Sequence, residues 1–166
     1  MRVDIYSRKA IEKLLQNDFP ENVAVISFYD PANQRTGKRD KPVDYSLKTS
    51  RVFPIAIHDI DLEILPKYKL TYDTYFPEAD NLAEFIYSAY DEGIDIICQC
   101  EYGQSRSAAC AAAILEHFYH NGISIFADYR YYPNQLIFNK VFDALNNLKN
   151  TKQKNNMTKN EKQIGI

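Results

Sequence analysis

Cys100, Arg106 and Ser107 are the residues whose types and spacing suit them to one piece of chemistry. The thiol and the guanidinium bracket the loop Cys100-Glu101-Tyr102-Gly103-Gln104-Ser105-Arg106. An apolar run (Ile94, Ile96, Ile97, Cys98) precedes it and an Ala-rich stretch to Phe118 follows. A short loop between a strand-end thiol and a helix-start guanidinium can curl until its backbone N–H groups converge on one anion, as nests and helix N-termini do. Glu101, Tyr102, Gly103, Gln104, Ser105 and Arg106 would line a hole the size of a phosphate, with sulfur at its floor.

The thiolate is the attacking form of a cysteine, and N–H dipoles, a helix terminus and a guanidinium all favour it. Arg106 offers a planar fork that grips two oxygens of a phosphoryl group, where Lys would act only as a point charge. Gly103 allows a positive φ or a close backbone approach in mid-loop. The Ser107 hydroxyl can donate to the sulfur and ease its departure from a phosphorylated state.

Two plainer readings compete. A lone cysteine is most often a buried apolar residue, but the full pattern of Cys100, Gly103, Arg106 and Ser107 between strand and helix outweighs that. Cys98, Cys100, Cys110, His117 and His120 invite a metal reading. Cys-x-Cys on a strand does not match the turn spacing of structural zinc, and two histidines at i, i+3 lack a third ligand. Cys98 and Cys110 are expected in the core, and His117 and His120 on the partly exposed side of their helix. The sequence calls for no metal and no organic cofactor.

The elements that must position this loop alternate between strand and helix patterns, which gives an α/β fold. Arg2–Tyr6 reads as a strand, with Ser7 capping a helix to about Gln16. Glu21–Tyr29 is a β-branched strand. Residues 30–50 form a long charged loop whose Arg35, Lys38, Arg39 and Lys41 could draw an acidic ligand, although a solvated loop face is the plainer reading. Arg51–His58 is a strand in which Pro54 implies an irregular start or an edge position. Residues 62–76 read as an irregular connection and Pro77–Tyr90 as a helix stopped by Gly93. Strand 94–99 and helix 105–120 follow, the helix ending at Asn121-Gly122. The stretch ISIFADYRYY is a short strand or an irregular connection, and Pro133 or Asn134 starts a last helix to Leu148.

Cys100-x-x-Gly103-x-x-Arg106-Ser107, set between a strand and a helix, resembles the signature loop of the cysteine-based protein tyrosine phosphatases. Its place late in the chain is similar to the dual-specificity-like branch. The likeness is strongest over residues 51–120. It implies a central, mostly parallel sheet of about four to five strands flanked by helices. It also implies a phosphorylated protein or peptide as substrate, with a phosphocysteine intermediate formed on Cys100. Such enzymes use an Asp on a loop after a strand as general acid. Asp59 is the best match, Asp61 the runner-up and Asp73 a third candidate. Catalytic roles thus fall to Cys100, Arg106, Asp59 and Ser107. One departure stands out: Gln99 occupies the position before the nucleophile where the family usually has His. Gln99 and the open choice of acid keep a rival in view, a phosphate-recognition module with little turnover.

Composition bounds these readings. The 166 residues fit one domain, expected to span 1–148. Residues 149–166, with five Lys and one Glu, form a tail of charge +4 in a chain of net −2, so the rest carries −6. Its Lys/Asn/Gln composition predicts disorder. The net charge gives no case for nucleic acid, and no apolar run approaches the roughly 18 residues that span a bilayer. The N-terminal residues lack the apolar centre of a secretory signal, and three cysteines do not make a disulfide framework. A cytoplasmic protein without membrane partners is expected.

Overall fold

The computed structural model describes residues 1–31 and 41–164, with side chains described to residue 155. Arg35, Lys38 and Arg39 lie outside the described residues. Strands β1 (Val3–Ser7), β2 (Val23–Tyr29), β3 (Val52–Ala56) and β4 (Asp95–Cys100) form one parallel sheet in the order β1-β4-β2-β3. Both faces of the central pair are buried, as all-parallel sheets require. Ala24, Ile26, Phe28, Ile96, Cys98 and Cys100 face one core, whereas Val23, Val25 and Ile97 face the other. The alternation puts Cys100 and Gln99 on opposite faces. Pro54 sits in β3, an edge strand, where a missing N–H donor is tolerated.

Among the described residues, six α-helices accompany the sheet: α1 (Arg8–Gln16), α2 (Tyr72–Tyr75), α3 (Ala79–Asp91), α4 (Arg106–Tyr119), α5 (Ile123–Phe126) and α6 (Gln135–Ile164). Ser7 caps α1, its hydroxyl accepting from the Ala10 N–H at 3.2 Å. Ile11 of α1 fills the smaller core with Val43 and Tyr45. The larger core joins α3, α4 and α6 to the sheet. α4 is buried almost all round from Arg106 to Ile114; its run of alanines lets the sheet and α6 approach from two sides.

Several expectations are corrected. The connection 62–76 is ordered as a 3₁₀ helix (Leu62–Tyr68) and α2, the latter closed by a Thr71–Thr74 capping box. The ISIF segment is the short helix α5, so the sheet stops at four strands. α4 ends at His120 in the left-handed conformation (φ 53°), one residue before Asn121-Gly122. His117 is buried, not partly exposed: its ring bonds Tyr87 Oη at 2.7 Å and Asn146 Oδ1 at 2.9 Å. A two-sided view of α4 misses the cover that α6 provides. Apart from these corrections, the described backbone of α6 is helical through Ile164. Lys152 anchors part of this extension, bonding Asp91 at 3.1 Å with its ammonium 4.2 Å from the Tyr87 ring centroid.

Candidate functional site

All four strands end at one edge of the sheet, the edge where open α/β sheets place their ligands. Ser7 is level with Cys100, and the Arg8 N–H donates to the Glu101 carbonyl at 3.1 Å, fixing the start of the loop. Gly103 then passes directly over β1. Its φ is +69°, and a Cβ there would lie 2.6 Å from the Ser7 nitrogen. Positive φ and close approach are therefore both required at this one position. The reward is geometric: the Gly103 N–H turns inward and donates to Cys100 Sγ at 3.2 Å.

Cys100 is 2% exposed, with Ser107 Oγ 3.0 Å from its sulfur. Arg106 is 3% exposed and reaches toward the segments that follow β2 and β3. Its Nη1 donates to Asp30 Oδ1 at 2.7 Å and to the Ile57 carbonyl at 2.8 Å. Its Nε lies 3.9 Å from Asp59 Oδ2, beyond hydrogen-bond reach, and is the one buried side-chain N or O atom without a partner among the described residues. Buried donors are nearly always satisfied, so this one is aimed at something the protein does not itself supply.

Ser105 precedes α4 but does not cap it. Its hydroxyl is diverted to Asp59 Oδ1 at 2.7 Å, which leaves the first N–H groups of α4 without a side-chain partner at the helix's positive end. Asn134 Nδ2 reaches the same carboxylate oxygen at 2.9 Å. The predicted Cys100, Arg106, Ser107 and Asp59 are thus brought together. Glu101, Tyr102 and Gln104 sit on the outer side of the loop, Tyr102 being 78% exposed. Asp61 stands exposed at the start of the 3₁₀ helix. Asp73 lines a separate cleft with Lys140 and Asp143. Neither shares the contacts of Asp59.

Three neighbours escaped the sequence reading: Asp30 after β2, Asn134 before α6, and the support for Gln99. Gln99 Oε1 accepts from Ser27 Oγ at 2.6 Å and Tyr45 Oη at 3.1 Å, all three side chains buried. That support depends on the register that sets Ser27 of β2 beside Gln99 of β4, which a sequence does not display. Beside the site, burial lowers the pKa of His58 from the usual imidazole value. Asp30 opposes that shift and Arg106 adds to it.

No family model matches the chain, and no curated protein matches it in sequence. Among solved structures it is similar to PTPMT1 in complex with PI(5)P, with a TM-score of 0.51 and 13% identity over 91% of this chain and 94% of that one. PTPMT1 alone gives a TM-score of 0.51 and 16% identity over 92% and 95%. Human DUSP28 gives 0.48 and 14% over 90% and 94%. The chain shares the α/β fold of the PTPMT1 structures.

Proposed function

We propose that the protein is a phosphomonoester hydrolase that removes phosphate from the phosphotyrosine of a protein or peptide, through a phosphocysteine intermediate. The observation that carries this reading is the buried Arg106 Nε, which has no hydrogen-bond acceptor, at the loop that closes over Cys100 Sγ. A tetrahedral oxyanion resting on the loop N–H groups would supply its acceptor.

In the first half-reaction the Cys100 thiolate attacks phosphorus in line with the leaving oxygen. The S–P bond forms, the P–O bond breaks, and the electron pair on the departing oxygen takes a proton from Asp59. The loop N–H groups and Arg106 hold the other phosphoryl oxygens, whose charge they stabilise most in the transition state. In the second, the Asp59 carboxylate takes a proton from water as its oxygen attacks phosphorus. The S–P pair returns to sulfur, eased by the Ser107 hydroxyl 3.0 Å away.

PI(5)P bound to PTPMT1 raises a lipid substrate for comparison. Here the loop carries Glu101 and Gln104 in place of cations, and Glu101 lies 3.8 Å from Arg8, which Glu12 also engages. That balance favours a singly phosphorylated aryl group over a multiply charged headgroup.

The rival, a binding module with little turnover, draws support from Gln99, which brings no positive charge beside the nucleophile. Steady-state hydrolysis of 4-nitrophenyl phosphate by wild type and Cys100→Ser separates them. Turnover is expected in wild type and its loss in the variant, with phosphate still bound. Undiminished turnover in Cys100→Ser would overturn the assignment of Cys100, and an inert wild type would favour the binding module.

A further inference from the structure

We propose that Asn134 is the positioning residue of the general acid: it holds Asp59 with one carboxylate oxygen occupied and the other free to carry the transferred proton. The inference rests on the hydrolase reading above and goes beyond it, because Asn134 touches neither phosphate nor sulfur.

Asn134 is 6% exposed and uses every polar group it has. Its Oδ1 accepts from the Ile137 N–H at 3.0 Å, capping α6. Its Nδ2 donates to Asp59 Oδ1 at 2.9 Å and to the Ile60 carbonyl at 3.0 Å. Its own N–H points to the Ser105 carbonyl at 3.5 Å. The amide orientation follows from these partners. Turned over, it would set an NH₂ group against the Ile137 N–H and a carbonyl against two acceptors.

The Asn134 side chain therefore ties the acid loop after β3 to the start of α6, and its backbone N–H adds the end of the 100–106 loop. Asp59 Oδ1 also takes the Ser105 hydroxyl at 2.7 Å, so both donors load the same oxygen. Oδ2 is left on the side of Arg106 Nε, 3.9 Å away, where the phosphoryl group would lie. A carboxyl group gripped at Oδ1 offers its proton from Oδ2, toward the leaving oxygen. Misplacement of a reacting group by about 1 Å is enough to cost on the order of a hundredfold in rate.

The experiment is a leaving-group comparison. Ser is a good helix cap but is too short to place a donor on Asp59, so Asn134→Ser removes the positioning contact while keeping the α6 cap. Values of kcat/KM, which report formation of the phosphocysteine, are measured with 4-nitrophenyl phosphate and with phenyl phosphate. They are taken for wild type, Asn134→Ser, Asp59→Asn and the double variant. The expected result is a loss in Asn134→Ser of roughly tenfold to a hundredfold on phenyl phosphate. The loss should be much smaller on 4-nitrophenyl phosphate, whose leaving group needs little protonation, and nothing further should be lost in the Asp59→Asn background. Equal losses on both substrates, or full additivity with Asp59→Asn, would overturn the proposal while leaving the hydrolase reading intact. A wild type inert on both substrates would overturn the hydrolase reading, and this proposal with it.

Discussion

The 100–106 loop and the segment from Ile57 to Phe76 meet at Arg106 and Asp59, yet different interactions hold them. The loop is a backbone construction. Arg8 N–H bonds Glu101 O, Gly103 rests on the Ser7 backbone, and the Tyr132 N–H donates to Gln104 O at 2.9 Å. The acid segment is tied down largely by side chains: Asn134 and Ser105 on Asp59, and the Tyr75 hydroxyl on the His58 carbonyl. On the proposed hydrolase reading, a backbone cradle suits the half of the site that must fit an oxyanion at several points at once. Side-chain ties suit the half that has only to present a proton. Damage to the loop should therefore slow every phosphate monoester, whereas damage to the acid segment should slow those with poor leaving groups most.

The largest effect that sharpens this contrast is expected from Arg106→Lys. Lys keeps the charge but loses the fork, and it cannot both bond Asp30 and the Ile57 carbonyl through one nitrogen and face the phosphoryl group with another. A fall in kcat/KM on the order of 10² to 10³ is expected. It should be the same within error for 4-nitrophenyl and phenyl phosphate. A loss confined to phenyl phosphate would place Arg106 on the acid's side of the comparison.

Gly103→Ala should act on the same half through the backbone. An added methyl at φ +69° would meet the Ser7 nitrogen at 2.6 Å and the Tyr6 carbonyl carbon at 2.8 Å, so either the loop or the end of β1 must move. A destabilisation of about 1–3 kcal/mol is expected from chemical denaturation. The Gly103 N–H would move off Cys100 Sγ at the same time, lowering turnover of both aryl phosphates together. Wild-type stability in this variant would show the loop to be softer than its contacts imply.

The same contrast explains what the sequence could show. Cys100, Gly103, Arg106 and Ser107 lie in one contiguous loop between recognisable elements, so their convergence was readable from spacing. Asp59 could be named only through the family resemblance, as an Asp on the loop after a strand, with Asp61 and Asp73 as alternatives. Asp30 and Asn134 were not readable, since each is a single polar residue whose partner lies 76 or 75 positions away. No local pattern encodes such a pairing. Tyr45 was hidden in another way: it lies in a charged stretch that reads as loop, yet its ring is buried and its hydroxyl supports Gln99. The order in residues 62–76 was missed because a 3₁₀ helix and a four-residue helix are too short to show a period.

The smallest effect expected belongs to the acid segment. Tyr75 is buried, and its hydroxyl donates to the His58 carbonyl, one residue before Asp59. Desolvation by burial pushes this hydroxyl well above the usual phenol range, with Asp59 adding to the shift and Arg106 opposing it. The group is therefore a neutral donor at every pH where the enzyme would work. Because its folded pKa is raised, the stability it contributes is complete below the unfolded value of about 10. That stability is lost as pH rises further, when the unfolded chain releases the proton first. Tyr75→Phe should lose about 1 kcal/mol near neutrality, and its melting temperature should fall less steeply than that of wild type above pH ~10. Burial raises the Tyr45 hydroxyl in the same way, so part of the alkaline slope should survive the substitution. With His58 less firmly held, kcat/KM should drop severalfold on phenyl phosphate and hardly at all on 4-nitrophenyl phosphate. An equal drop on both would mean that the segment supports the oxyanion cradle as well as the acid, and the division between the two halves of the site would fail.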